Sequence, residues 1–114
     1  MGHLAQRYRD ASRSGVYRVT DAAVPRAAAL EAGATLCQIA LVNGNDARRL
    51  IEEQLAANVQ VLIIEGLDAH DFQAFVAALD AAAAARRSRG TPFFAVLVDP
   101  RRILPLPTLY KERS

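Results

Sequence analysis

The chain alternates between short apolar runs and segments whose apolar residues recur at helical spacing. Residues 35–42, 59–64 and 92–98 are nearly continuous in apolar character, which is typical of strands that are buried on both faces of a sheet. A shorter β-prone run at 16–19 predicts a further strand, which could lie at an edge. The pattern therefore predicts four strands separated by helices.

Helices fill the intervals between these strands. Thr20 or Asp21 can cap the first helix, which should stop at Gly33, a residue suited to the left-handed position after a helix end. The second helix begins at position 47, keeps its apolar residues on one side, and ends near Asn58.

The longest helix is predicted to run from a cap at Asp68 to a stop at Gly90. The resulting order, βαβαβαβ with short connections, indicates an α/β fold with a small parallel sheet, right-handed crossovers and two or three layers. We expect a single domain over residues 15–100. A flexible arm (1–14) should precede it, and an extended, proline-containing tail (101–114) should lie over its core.

Composition narrows the class of protein. With 114 residues, 52% of them hydrophobic, the chain has the size of one compact domain. It has no apolar run of about 18 residues and no leader-like start, so we expect neither a membrane span nor secretion. The single cysteine, Cys37, excludes an intrachain disulfide, and its predicted place in a buried strand favours an unreactive thiol. These features favour a cytoplasmic protein.

The net charge of +2 is the sum of basic ends and an acidic middle. Between positions 21 and 80 there are nine acidic and three basic residues. Such a dipolar surface can steer a charged partner. Nucleic-acid binding is not favoured, because only Tyr8 and Tyr17 accompany the N-terminal arginines as stacking aromatics.

Polar residues follow the predicted strands, at the place where ligands bind in parallel sheets. These positions offer Asn43, Asp68, Asp99 and Arg101, which could hold a small ligand, Mg²⁺ or a phosphate. Helix capping by Asp68 and strand termination at Asp99 are the competing structural explanations. Neither glycine-rich phosphate-binding motif is present. The leading expectation is therefore that the chain has no catalytic residue, no metal and no cofactor.

Several segments resemble the barstar family, in particular its longer bacterial members with an N-terminal extension. The resemblance rests on RDASRSGVYRV at 9–19, IALVNG at 39–44, VLIIEG at 61–66 and the stretch 71–106, in the order that the family has them. It implies a three-stranded parallel sheet packed by helices, here with an added N-terminal strand. It also implies a role in binding another protein.

The resemblance is interrupted where the family meets its target. Barstar-like proteins cover the basic active site of a ribonuclease with an acidic helix and loop that precede the second core strand. Here Asn58 runs directly into Val59, and the family's later acidic positions fall near Ala85 and Arg89. Both departures remove negative charge from that surface, so no inhibitory residue carries over.

The leading interpretation is a non-enzymatic, barstar-related module that binds a protein, either a ribonuclease or a second copy of itself. Loss of one helix should expose apolar surface beside the 59–64 strand. Such a surface is commonly covered by a partner, so we expect a homodimer. The alternative is a small-ligand or phosphate-binding α/β enzyme that uses the strand ends described above.

Overall fold

The computed structural model describes residues 2–41, 47–67 and 69–110. Its helices are α1 (Gly2–Arg9), α2 (Ala23–Ala32), α3 (Ala47–Ala56) and α4 (Ala69–Arg89), with a short 3-10 helix at Ala11–Arg13. Its strands are β1 (Gly15–Val19), β2 (Leu36–Ala40), β3 (Val61–Glu65) and β4 (Phe94–Val98). All strand pairings are parallel, in the order β1-β4-β3-β2. The predicted α/β fold and its element order are confirmed, and β1 lies at an edge.

The sheet has helices on both faces, which makes three layers. On one face α3 and α4 pack against alternate strand residues, and on the other face α1 and α2 pack against the residues between them. The central strands β3 and β4 are buried on both faces, as their continuous apolar sequences predict. No helix in the described part of the chain is long and apolar enough to cross a membrane.

The three predicted residues that end helices all have left-handed backbone conformation. Gly33 follows α2 at φ 70°, and its N–H satisfies carbonyl groups of the last turn. Asn58 follows α3 at φ 64°, and Gly90 follows α4 at φ 74°. At the start of α2 the Asp21 carboxylate accepts a hydrogen bond from the Ala23 N–H at 2.7 Å. The predicted cap at Asp68 lies outside the described residues.

The N-terminal segment differs from the expected arm, because residues 2–9 form α1 and pack against the domain. Leu4, Ala5 and Tyr8 are buried, and the Tyr8 ring meets the Phe94 ring edge-on with centroids 5.1 Å apart. The Tyr8 hydroxyl also donates to the carbonyl of Pro25 in α2. One helical turn of apolar residues holds α1 in place, a period too short to stand out in a polar sequence.

Candidate functional site

The carboxyl ends of β3 and β4 border a pocket with a volume of about 510 Å³. Its walls are mainly apolar, and its charged side chains come from the strand ends and the following loop. The lining residues include Leu67, Val98, Ile103, Glu65, Asp99 and Arg101. This is the position that parallel α/β sheets use for ligands.

Two of the four predicted site residues, Asp99 and Arg101, meet in this pocket. Asn43 and Asp68 lie outside the described residues. Within the described ranges, the structure holds no cluster of three or more side chains that could ligate a metal. The predicted ligand site is therefore brought together in part, with Glu65 as an additional acidic group.

Asp99 is buried, with 4% of its surface exposed, and its carboxylate is occupied by the chain itself. Oδ1 accepts from the Ile103 N–H at 3.2 Å and Oδ2 from the Leu104 N–H at 2.9 Å. Its own N–H donates to the Val19 carbonyl at 2.7 Å, across to β1. Asp99 thus fixes the start of the C-terminal segment, which makes the structural explanation of this residue the better supported one.

The C-terminal segment then covers the outer edge of β1. The Arg18 N–H donates to the Pro107 carbonyl at 3.0 Å, and the Leu109 N–H donates to the Arg18 carbonyl at 3.2 Å. Thr108 forms a parallel bridge with Arg18. The N–H and C=O groups that Arg18 would otherwise present to a neighbouring strand are therefore used within the chain.

At the opposite edge of the sheet, no further strand lies beyond β2 in the described part of the chain. The Thr35 carbonyl accepts from Val61, and the Leu41 N–H donates to Glu65. Backbone groups alternate in direction along a strand, so those of Cys37 and Ile39, at the odd positions between Thr35 and Leu41, also point to β3. Leu36 and Gln38 have the opposite parity, so their N–H and C=O groups point away from the sheet.

This arrangement corrects the prediction that residues 35–42 form a strand buried on both faces. Gln38 and Ala40 are exposed, while Cys37 and Ile39 are half-buried. The strand is an edge strand, and α2 leaves one face of it open.

The exposure of β2 also bears on the expected apolar surface beside 59–64. Val61 to Ile64 are fully buried in β3, so the strand itself exposes nothing. The open surface belongs instead to its neighbour β2, where the Gln38 side chain donates to the Glu65 carboxylate at 3.1 Å.

Cys37 lies on the covered face of β2 and contacts the core beneath α3 and α4. Its side chain is half-buried, whereas the sequence predicted that it would be enclosed in a buried strand. Burial raises the pKa of its thiol, which disfavours the nucleophilic thiolate. The structure therefore offers no support for a reactive cysteine at this position.

The one sequence signal for an edge strand was Gln38. It is the single polar side chain within β2, whereas β4 has none and β3 has only its last residue, Glu65. One polar residue at the centre of an apolar run is only a weak indication of an edge strand.

Comparisons with known proteins supply no relative for this site. No family model matches the chain, no curated protein matches it, and no solved structure matches it. The resemblance of residues 71–106 to the barstar family therefore stays a prediction. The pocket at the strand ends and the edge at β2 are the two features of the fold that bear on function.

Proposed function

We propose that this chain is a non-enzymatic protein-binding module that adds an extended segment of another protein to the outer edge of β2, at Leu36 and Gln38. The observation that carries the proposal is the difference between the two sheet edges. The edge at β1 is occupied at Arg18 by the chain's own C-terminal segment, whereas Leu36 and Gln38 on β2 direct their backbone groups outward. An added strand would satisfy those groups with main-chain hydrogen bonds.

The composition of β2 supports this use. Natural edge strands are usually protected by charged side chains, proline or bulges, and the sequence LCQIA has none of these. Its exposed face carries only Gln38 and Ala40, which leaves room for a neighbouring strand. The resemblance to the barstar family favours the same class, because members of that family bind proteins.

A second candidate function is supported by the pocket of about 510 Å³ at the strand ends. It is a small-ligand or phosphate-binding enzyme that would use Glu65 and Arg101, since the Asp99 carboxylate already accepts two backbone hydrogen bonds. A thermal-shift panel of Mg²⁺, nucleotides and inorganic phosphate tests it. Stabilisation that Arg101→Ala abolishes would support it, and an unchanged melting temperature across the panel would exclude those ligands.

The leading proposal can be tested by removing one backbone donor. Gln38→Pro deletes an outward N–H without touching the ladder to β3, and edge strands tolerate proline at such positions. Gln38→Thr is the matched control, because it also removes the side-chain bond to Glu65 but keeps the N–H. Peptides selected from a random displayed library on the wild-type chain should bind Gln38→Thr and not Gln38→Pro.

NMR locates the binding site in the same experiment. On peptide binding, the amide protons of Leu36 and Gln38 should become protected from solvent exchange, while those of β4 should not change. Equal peptide binding by both variants, or protection confined to other elements, would contradict strand addition at β2. Circular dichroism and a thermal melt establish that Gln38→Pro is folded.

A further inference from the structure

We infer that the outward face of α2 is a second interaction surface, and that its partner is α2 of a second copy of this chain, packed parallel to it about a two-fold axis. The surface consists of Ala23, Val24, Ala27 and Leu30, with Arg26 and Glu31 at its sides. It shares no residue with the outer edge of β2, so the inference does not depend on strand addition.

The outward face of α2 is apolar where the surface of a domain is ordinarily polar. The helix packs on its own domain through Pro25, Ala28 and Ala29, which are buried. On the other side Leu30 has 67% of its surface exposed and Val24 has 50%. Helix α3 shows the ordinary arrangement, because its exposed side carries two Arg–Glu pairs. A contiguous apolar face left exposed in this way is typical of an interaction site.

The residues of this face have the spacing of a coiled-coil seam. At about 100° per residue, Ala23, Ala27 and Leu30 lie along one line on the outward side of α2. Their separations of four and three residues correspond to heptad positions d, a and d, and leucine at d favours a parallel pair of helices. The buried residues at 25, 28 and 29 then occupy positions f, b and c, which face away from a partner helix. The seam therefore lies on the side of α2 that its own domain leaves uncovered.

The charged residues beside the seam select a second copy as the partner. Arg26 occupies position g, before Ala27, and Glu31 occupies position e, after Leu30. In a parallel pair, a residue at g faces the residue at e that lies five positions later in the other helix. Each Arg26 would therefore meet Glu31 of the second copy. In an antiparallel pair g faces g and e faces e, which would bring like charges together.

Both charges are available for these pairs. Arg26 and Glu31 are exposed, and neither side chain forms an ion pair or a hydrogen bond with another residue in the described ranges. The Arg9 guanidinium also lies near the end of α2, but it donates to the Glu31 carbonyl, at 3.4 Å, and not to the carboxylate. The parallel pair would give each of the two side chains an oppositely charged partner.

The mass of the full-length chain in solution tests the assembly. Sedimentation equilibrium at increasing concentration should show the mass rising from 12.3 kDa toward twice that value. The interface is small, so we expect a dissociation constant in the micromolar range and not in the nanomolar range.

Two variants with the same change of charge locate the interface. Leu30→Glu would place two carboxylates together at the two-fold axis and should leave a monomer. Ile103→Glu is the matched control, because Ile103 is 59% exposed and lies outside α2, and it should dimerise as the wild type does. A wild type that stays monomeric at the highest soluble concentration, or a dimer that survives in Leu30→Glu, would overturn the inference.

Charge reversal tests the ion pairs. Arg26→Glu should weaken the dimer about ten-fold, because two attractive pairs become repulsive ones. Combining it with Glu31→Arg should restore the affinity, since the pairs are then re-formed with their charges exchanged. Arg89→Glu, at an exposed position of α4, should have no effect. A double variant as weak as Arg26→Glu alone would contradict the parallel pairing.

Disulfide trapping tests the orientation of the two helices. In a parallel pair the residues at d face each other across the axis, within the range of a disulfide. Ala23→Cys should therefore give, on mild oxidation, a dimer linked between the two positions 23, as read by peptide mass spectrometry. In an antiparallel pair with Ala23 opposite Leu30 the two positions would be about 10 Å apart along the axis.

The matched control for trapping is Ala56→Cys, an exposed alanine at the end of α3, which should link far less. A dimer that Leu30→Glu abolishes but that Ala23→Cys does not link has another orientation, and it would contradict the inference.

The two proposed surfaces can be tested separately. Gln38→Pro changes the edge of β2 and should dimerise as the wild type does, whereas Leu30→Glu should still bind the selected peptides. Loss of the dimer in Gln38→Pro would show that β2 contributes to it, and this would contradict α2 as the interface.

Discussion

Arg86 provides the sharpest test of what holds the α3–α4 layer together. It lies on α4 with 7% of its surface exposed, and its guanidinium stacks over the Phe93 ring at 5.2 Å. Nη1 donates to the Val59 carbonyl at 3.1 Å and Nη2 to the Leu55 carbonyl at 3.3 Å. Leu55 lies in the last turn of α3, where the helix dipole favours a positive charge. One side chain thus ties α4 to the end of α3 and to the loop before β3.

Arg86→Met keeps the apolar stem and removes the guanidinium. Two buried carbonyl groups then lose their donors, and a hydrogen bond to a charged group contributes about 1.5–3 kcal/mol. The longer bond to Leu55 counts for less, and relief of the buried charge offsets part of the loss. We expect the free energy of unfolding to fall by about 3 kcal/mol.

Urea unfolding followed by circular dichroism measures this loss. At a typical m-value of about 2 kcal/mol/M, the midpoint should fall by about 1.5 M. Arg89→Met is the matched control, because Arg89 is exposed on the same helix and should change the stability by less than about 0.5 kcal/mol. If Arg86→Met unfolds at the same urea concentration as Arg89→Met, the guanidinium contacts do not stabilise the fold and the reasoning is wrong.

Three further predictions concern α1, the turn after β3, and the C-terminal segment. Burial, with a smaller contribution from Tyr110, raises the pKa of Tyr8, so the folded chain keeps a proton that the unfolded chain loses above about pH 10. Stability should be unaffected by this group below that pH and fall above it by about 1.4 kcal/mol per unit, a slope that Tyr8→Phe should remove in urea titrations at pH 9–11. Gly66→Ala places a Cβ 2.3 Å from the Leu41 carbonyl oxygen at φ 84°, so it should lower the melting temperature well beyond Gly33→Ala, where φ is 70° and the space is open. Asp99→Ala removes the acceptor of two backbone N–H groups and should cost about 2 kcal/mol, with faster proteolysis after residue 99, whereas equal proteolysis of the variant and the wild type would contradict the anchoring role.

Local sequence signals were enough to predict most of the elements. The buried strands β3 and β4 have continuous apolar sequences because both of their faces are covered, and a run of that kind is distinct from a helical period. Helix ends at Gly33, Asn58 and Gly90 could be predicted because left-handed backbone is restricted to few residue types. Alternation of strands and helices then led to the parallel α/β class.

The arrangement of these elements was less accessible from sequence. The order of the strands in the sheet depends on which face each connecting helix crosses. No single residue of the sequence determines that face. The apolar residues of β2 therefore looked like those of a central strand. The contribution of α1 was missed because its packing depends on Tyr8 reaching Phe94, a contact between residues far apart in the chain.

The candidate site shows the same limit. Asp99 and Arg101 could be assigned to the strand ends because parallel strands bring their carboxyl ends together. That the Asp99 carboxylate binds the Ile103 and Leu104 N–H groups could not be predicted, since it depends on the path of the following loop. The edge position of β2 was equally hidden, because it follows from the order of the strands.

The bridge between Arg18 and Thr108 also bears on aggregation. The edge of a sheet whose backbone groups are unpaired is a template on which a strand of another chain can form. At β1 the C-terminal segment uses both backbone groups of Arg18, so a foreign strand would first have to displace that segment. Conditions that release residues 107–109 from β1 should therefore raise the rate of aggregation before the sheet itself unfolds.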